Sequence, residues 1–294
     1  MINAEQLFHE QLTEWDEFRQ RVEQLDTIEL RSFNMGNYTI YAQYNPARAV
    51  SSGAKLDAKS IAARKCFLCQ ENRPSVQKHQ DLNERFILLV NPFPILKGHM
   101  TIPHKEHKVQ EILPFIDDFI SFCRTIPTHT LLYNGPQCGA SAPDHLHFQA
   151  VLKGQLPFET EMQSISTRVL SECKGNKMEE FVNYGRKCIH IQCEQPAMAS
   201  SYFQQLYKQL QMREGSESEP KMNLFGFYEK GDYHLFVFPR KKHRPSQYFE
   251  EGDAYKMISP GAIDIAGILV LPRKEDFDNL TKEEILDVFS QVSY

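Results

Sequence analysis

Hydrophobic residues along the chain alternate between two periods. Leu7, Phe8, Leu12, Trp15, Phe18, Val22 and Leu25 recur at helical spacing, which predicts an amphipathic helix over residues 4–26. Phe33, Tyr38, Ile40 and Tyr41 follow in a stretch of alternating character, predicting strands joined at a Gly36-Asn37 turn and then a polar loop through Lys59. Residues 85–91 and 99–104 read as strands. Val109, Ile112, Leu113, Ile116, Phe119, Ile120 and Cys123 form a helix stripe, and residues 130–134 a further strand. After Gly154 the pattern weakens: a helix is expected over 162–173, a strand over 188–193 and a helix over 199–212. Glu214 to Pro220 is acidic and expected to be mobile. Residues 222–228 and 233–238 form a hairpin over Glu-Lys-Gly-Asp, and residues 263–271 a strand. Residues 280–292 form a helix whose Thr281 and Glu284 fit a capping box. Strand, strand, helix, strand, loop, strand suits an antiparallel α+β unit, and the second half repeats that grammar.

One stretch carries chemistry. In residues 134–152, Asn-Gly-Pro-Gln-Cys-Gly-Ala-Ser-Ala-Pro-Asp-His-Leu-His-Phe-Gln-Ala-Val-Leu, strand period puts His145, His147, Gln149 and Val151 on one face. Leu146, Phe148, Ala150 and Leu152 fall on the other. Neighbours on one face stand roughly 6.6 Å apart along the strand, so two imidazoles and a carboxamide line up. Gly139, Ala140 and Ser141 just before them read as a loop that brings backbone amides close to whatever the histidines face. The plain alternative is a pair of polar residues facing water.

Composition narrows the classes. The 294 residues are 41% hydrophobic and 24% charged, ordinary for a globular protein. A net charge of −5 argues against a nucleic-acid surface. No window approaches the length and apolarity of a membrane span. The start, Met-Ile-Asn-Ala-Glu-Gln, lacks the basic and apolar regions of a signal peptide. Seven cysteines without such a signal predict reduced thiols in a cytoplasmic protein. Cys66-Phe-Leu-Cys69 is a lone C-x-x-C, open to a zinc half-site, a redox pair or chance; a thioredoxin-like βαβ context for the redox reading is absent.

The His-x-His-x-Gln run behind an Asn…Gly-x-Ser loop resembles the active-site strand of the histidine-triad superfamily. The similarity is to the branch of galactose-1-phosphate uridylyltransferases, dinucleoside polyphosphate phosphorylases and GDP-hexose phosphorylases, where Gln replaces a third His. Three residues, Ala142-Pro143-Asp144, separate Ser141 from His145, one more than in the uridylyltransferase pattern. Gln43-Tyr-Asn-Pro-Ala-Arg48 is similar to a segment near the nucleotide in GDP-hexose phosphorylases; a surface arginine is the plain reading of Arg48. Gly98-His99…Ile102-Pro103…Lys105-Glu-His107 resembles another histidine-triad stretch. Residues 238–245 and 259–276 resemble the second half of GDP-hexose phosphorylases. The implied fold is a duplicated histidine-triad α+β architecture, with a catalytic half over 1–160 and a degenerate half over 161–294 that lacks His-x-His.

The resemblance also implies roles. His147 would attack phosphorus, Gln149 would donate to a phosphoryl oxygen, and Arg48, Asn134, Gly139, Ala140, Ser141 and Arg240 would meet the substrate. Uridylyltransferases join a similar C-x-x-C to two histidines, which carries zinc (or iron in its place) onto Cys66, Cys69, His107 and His145 in a structural role, with His104 as rival to His107. The implied activity is a nucleotidyltransferase of phosphorylase type. It would act on a nucleotide-sugar, GDP-hexose favoured, or on a dinucleotide, with inorganic phosphate or a sugar phosphate as acceptor. Uridylyl transfer to a hexose 1-phosphate is the nearest alternative. From another class stands a zinc-stabilised nucleotide-binding protein without turnover. No nucleic-acid or membrane partner is expected, and a homodimer is left open. His99, His190, His234 and His243 are expected to be structural or surface residues.

Overall fold

The chain's computed structural model describes residues 2–53 and 57–294. Its first half contains α1 (Ala4–Glu14), α2 (Asp16–Gln24), β1 (Glu29–Asn34), β2 (Thr39–Tyr44), α3 (Ala49–Ser52), α4 (Ala58–Ala63), β3 (His79–Asp81), β4 (Ile87–Val90), β5 (Met100–Pro103), α5 (Ile116–Thr125), β6 (His129–Asn134), β7 (His147–Leu152) and α6 (Pro157–Glu161). The second contains β8 (Thr167–Cys173), β9 (Asn176–Phe181), β10 (Ile189–Cys193), α7 (Pro196–Glu214), β11 (Met222–Glu229), β12 (Asp232–Pro239), α8 (Ala262–Ala266), β13 (Ile268–Leu271), α9 (Lys274–Asp278) and α10 (Lys282–Val292). The architecture is α+β.

Ten strands form one sheet in the order β3-β4-β5-β7-β6-β11-β12-β10-β9-β8. Read inward from either edge, the two halves have the same order: 3-4-5-7-6 and 8-9-10-12-11. A helix crosses before the innermost strand in each, α5 before β6 and α7 before β11. The halves meet where β6 pairs antiparallel with β11. Gln149 lies opposite Thr101 and His147 opposite Pro103 on β5, while on β12, the second half's counterpart of β7, Phe236 lies opposite His190 and His234 opposite Gln192.

Each sheet face has its own core. Phe148 and Ala150 point with Leu88, Ile102 and Leu131 toward α5, α7 and the N-terminal helices. Leu132, Val151, Phe225 and Phe236 point to the other face, which is covered by α8, α10 and a three-stranded sheet. That small sheet pairs β1 with β2 antiparallel and β2 with β13 parallel, so strands of both halves interlock.

Several expectations change. The N-terminal stripe is two helices, because Trp15 sits in extended backbone between them while its ring stays in the core. Residues 167–173, expected helical, form edge strand β8, where hydrogen bonds to β9 outweigh a weak helical pattern. Residues 263–266, expected as the start of a strand, fall in α8, because Asp264 turns back to accept from the Gly261 N–H (2.9 Å). Val109 is 67% exposed and α5 begins only at Ile116, after a turn at Leu113-Pro114-Phe115. Of the loop expected through Lys59, residues 54–56 lie outside the described residues.

The acidic loop before β11 is tied to the first half through Glu219. The Glu219 carboxylate accepts from the Ile112 N–H (2.6 Å) and from the Tyr133 hydroxyl (2.7 Å). Burial pushes its pKa up to about 8, against the opposing pull of those two donors. The unfolded chain releases this proton in the ordinary carboxyl range, so from there up to about pH 8 the folded state binds more protons and stability falls as pH rises. Glu219→Gln keeps an acceptor for Ile112 and removes the charge. The variant should match wild type near pH 4–5 and exceed it by about 1–3 kcal/mol at pH 9, as measured by denaturant melts at the two pH values. Parallel pH profiles for the two proteins would contradict this assignment.

Candidate active site and metal centre

β7 carries His147 and Gln149 on the face covered by the three-stranded sheet, and hydrogen bonds orient both. His147 is 3% exposed. Its Nδ1 lies 2.8 Å from the His145 carbonyl oxygen, which can only accept, so Nδ1 carries the proton and Nε2 keeps its lone pair. Burial is the largest cause that lowers its pKa to about 4, so the ring is neutral at pH 7. A neutral imidazole with a free Nε2 is the form that can act as a nucleophile or base.

Gln149 is oriented by His99. His99 Nδ1 accepts from the Ile95 N–H (3.2 Å), which leaves the proton of the neutral ring on Nε2, and this N–H donates to Gln149 Oε1 (2.7 Å). Burial lowers the His99 pKa to about 4 and keeps it in this form. With its oxygen occupied, Gln149 turns its NH2 outward as a donor. His99 therefore acts on the site, and the sequence carried a hint of this in the Gly98-His99 phrase.

The loop between β6 and β7 is locked by the second half. Asn134 Oδ1 accepts from Ala262 N–H (2.7 Å) and Asn223 Nδ2 (3.0 Å). Gly139 has φ +102°, and a Cβ there would lie 2.5 Å from Gly261 Cα, so this position needs glycine twice over. Ala140 is buried, and the Ser141 carbonyl accepts from Arg64 (3.4 Å). Arg48 is half-buried, near His99 and Asp264, and donates to the Phe93 carbonyl (3.4 Å). Arg240 departs from the expectation of a phosphate contact. It is fully buried and spends its guanidinium on Asn223 Oδ1 (2.6 Å) and the carbonyls of Val292, Lys242, His243 and Pro260. It organises the loops that close on the site.

Beside this site, the ligand atoms of Cys66, Cys69, His107 and His145 lie within 4.8 Å of one another. Cys66 Sγ is 3.2 Å from His145 Nδ1, and Cys69 Sγ is 3.2 Å from His107 Nδ1. His104 stays outside the cluster, its Nδ1 accepting from the Glu106 N–H (3.0 Å). The donor set suits a tetrahedral ion. Two further observations fit one. His145 donates its Nε2–H to the His104 carbonyl (2.8 Å), so its Nδ1 lone pair faces the sulfurs. Arg64 Nη1 and Arg73 Nε and Nη1 are buried without a partner, and Arg73 feels the charge of Cys69. Metal-bound thiolates would supply the missing negative charge. With no ion, burial first and Cys66 second push the Cys69 thiol up to about 11.

Sequence reasoning did not select His99, Arg64 or Asp144, the last two forming a 2.5 Å ion pair whose carboxylate lies 3.7 Å from His107 Nε2. An ion pair across 80 positions leaves no local pattern.

Each half of the chain is similar to a known family model. Residues 160–294 match the family model described as "GDPGP1-like, C-terminal domain". The second half of the chain is thus similar to that family. Residues 7–152 match a domain of unknown function, DUF4922. The crystal structure of yeast Ap4A phosphorylase Apa2 with AMP superposes with a TM-score of 0.62 at 15% identity, covering 100% of this chain and 98% of that one. The complex of Apa2 with Ap4A gives 0.63 at 14% identity, covering 100% and 99%. At such identity the likeness establishes the fold. No curated protein matches the chain by sequence. Among the described residues, no helix is long and apolar enough to cross a membrane.

His99→Leu removes the partner of a buried amide oxygen and should cost about 1–3 kcal/mol in urea unfolding. Adding Gln149→Leu removes the orphan and should recover part of that loss. Strict additivity of the two substitutions would show that the bond does not orient Gln149.

Proposed function

We propose that this protein is a nucleotidyltransferase of the phosphorylase type, working through a covalent nucleotidyl-His147 intermediate. The observation that carries the reading is the His147 tautomer: Nδ1–H bound to the His145 carbonyl, Nε2 unprotonated. The Nε2 lone pair attacks the phosphorus of the nucleotidyl group. The bond from that phosphorus to the bridging oxygen breaks, and the sugar phosphate or nucleotide leaves with the electron pair. The positive charge gained by the ring strengthens Nδ1–H···O=C. In the second step an oxygen of inorganic phosphate attacks, the N–P bond breaks, and His147 regains its lone pair. Gln149, its oxygen committed to His99, donates from its NH2 to a non-bridging oxygen. Backbone amides of Gly139, Ala140 and Ser141 flank the same group.

The preferred donor is a GDP-hexose, supported by the match of the second half to the GDPGP1-like domain and by the Gln43…Arg48 segment. A dinucleoside polyphosphate is the second reading, because the fold is that of a phosphorylase crystallised with AMP and Ap4A. Zinc, with iron as substitute, is the metal proposed for Cys66, Cys69, His107 and His145; when bound it fixes the C-x-x-C turn to the start of β7.

Two experiments test this. Single-turnover incubation with α-³²P-labelled GDP-hexose should leave an acid-labile label on the protein. Phosphate should discharge it as labelled GDP, and His147→Ala should abolish it. Labelled Ap4A in a parallel arm decides between donors, and turnover without any protein-bound label would contradict the covalent step. Purified protein should hold about one zinc per chain, and Cys69→Ser should lose it along with several degrees of Tm. A metal-free protein of unchanged Tm on zinc addition would remove the metal from the account.

A further inference from the structure

The β6–β7 ladder runs from His129 opposite Leu152 to Leu132 opposite Gln149 and stops there. Continuing that register places Asn134 opposite His147, where two strands of an intact sheet would bond directly. Here the strands splay to admit the loop that joins them, and a side chain fills the gap. Gln110 Oε1 accepts from the His147 N–H (2.8 Å), while Gln110 Nε2 donates to the Asn134 carbonyl (2.9 Å) and to the His147 carbonyl (3.0 Å). The amide orientation is unambiguous, because an N–H can only donate and a carbonyl only accept. Gln110 is 3% exposed, and its own N–H donates to the Pro143 carbonyl (3.1 Å), so it is fixed from behind.

We propose that Gln110 is the positioning residue of the site: its carboxamide replaces the missing rung between β6 and β7 and sets where His147 Nε2 points. The inference rests on His147 as the reacting residue. The physical reason is leverage. The His147 imidazole is tied through Nδ1–H to the carbonyl of His145 in its own strand, so ring and main chain move as one body. That body has no direct bond to β6, and Gln110 bridges the gap with two bonds to His147 and one to Asn134 of β6. Loss of these bonds leaves two carbonyls and an N–H unpaired in a dry site and lets the strand end drift. A displacement of about 1 Å costs on the order of 100-fold in rate. The connector that bears Gln110 also bears His107, three positions earlier, so the metal cluster and the rung are carried by one segment.

The test uses Gln110→Met, close in volume and without the amide. Amide exchange read by mass spectrometry on peptides spanning 146–148 should speed up by about 10-fold or more, with peptides from the ordered part of the β6–β7 ladder unchanged. The rate of label transfer to protein from α-³²P GDP-hexose should fall about 10- to 100-fold, while the Kd for GDP by calorimetry stays within about twofold of wild type. Unchanged exchange at His147, or a loss of rate matched by an equal loss of GDP affinity, would overturn the proposal. If Gln110→Met does not fold, Gln110→Glu keeps the acceptor and loses the donor: slower labelling with intact GDP binding supports the inference, and a wild-type labelling rate overturns it. A label surviving in His147→Ala would remove His147 as the nucleophile, while the exchange measurement still decides whether Gln110 bridges the strands.

Discussion

The structure depends on one buried imidazole kept neutral with a fixed tautomer. His147 donates Nδ1–H to the carbonyl two residues back, which leaves the lone pair on Nε2. Everything nearby serves that arrangement. Gln110 ties its main chain to β6, His99 accounts for the oxygen of Gln149, and Cys66, Cys69, His107 and His145 cluster just before the strand begins. Burial does double duty: it lowers the proton affinity of the rings and strengthens each hydrogen bond that orients them.

Duplication explains how a short strand gains such a surround. Ten strands in two equivalent sets of five make one sheet, and the second set contributes the lid rather than a second centre. Asn223, Arg240 and Gly261 from the second half hold the loop that precedes His145. On β12, the counterpart of β7, His234 is turned to His190 (3.0 Å), which in turn meets Glu179 (3.2 Å). Phe236, next on the same face, is part of the core.

Much of the site was legible in the sequence because it is local. His145, His147 and Gln149 alternate on one strand, and two-residue periodicity needs no tertiary knowledge. Cys66 and Cys69 are likewise a local pair, while their histidine partners came from family resemblance and lie beside them in the fold. What the pattern hid is long-range or irregular. Gln110 sat inside an apparent helix stripe that begins with Val109, yet the connector there is extended and Val109 faces solvent. Arg240 was expected to meet the substrate, and only its five acceptors show that it is an internal strut. Strand β8 was mistaken for a helix because both of its faces are largely exposed, which erases the alternation that marks a half-buried strand.

The most direct test of the central claim is the ¹⁵N spectrum of ring-labelled histidine in wild type and His147→Ala at pH 7. The resonances lost in the variant should be those of a neutral ring protonated at Nδ1 and bare at Nε2. A ring protonated at Nε2, or an imidazolium, would leave no lone pair facing the substrate and would contradict the account.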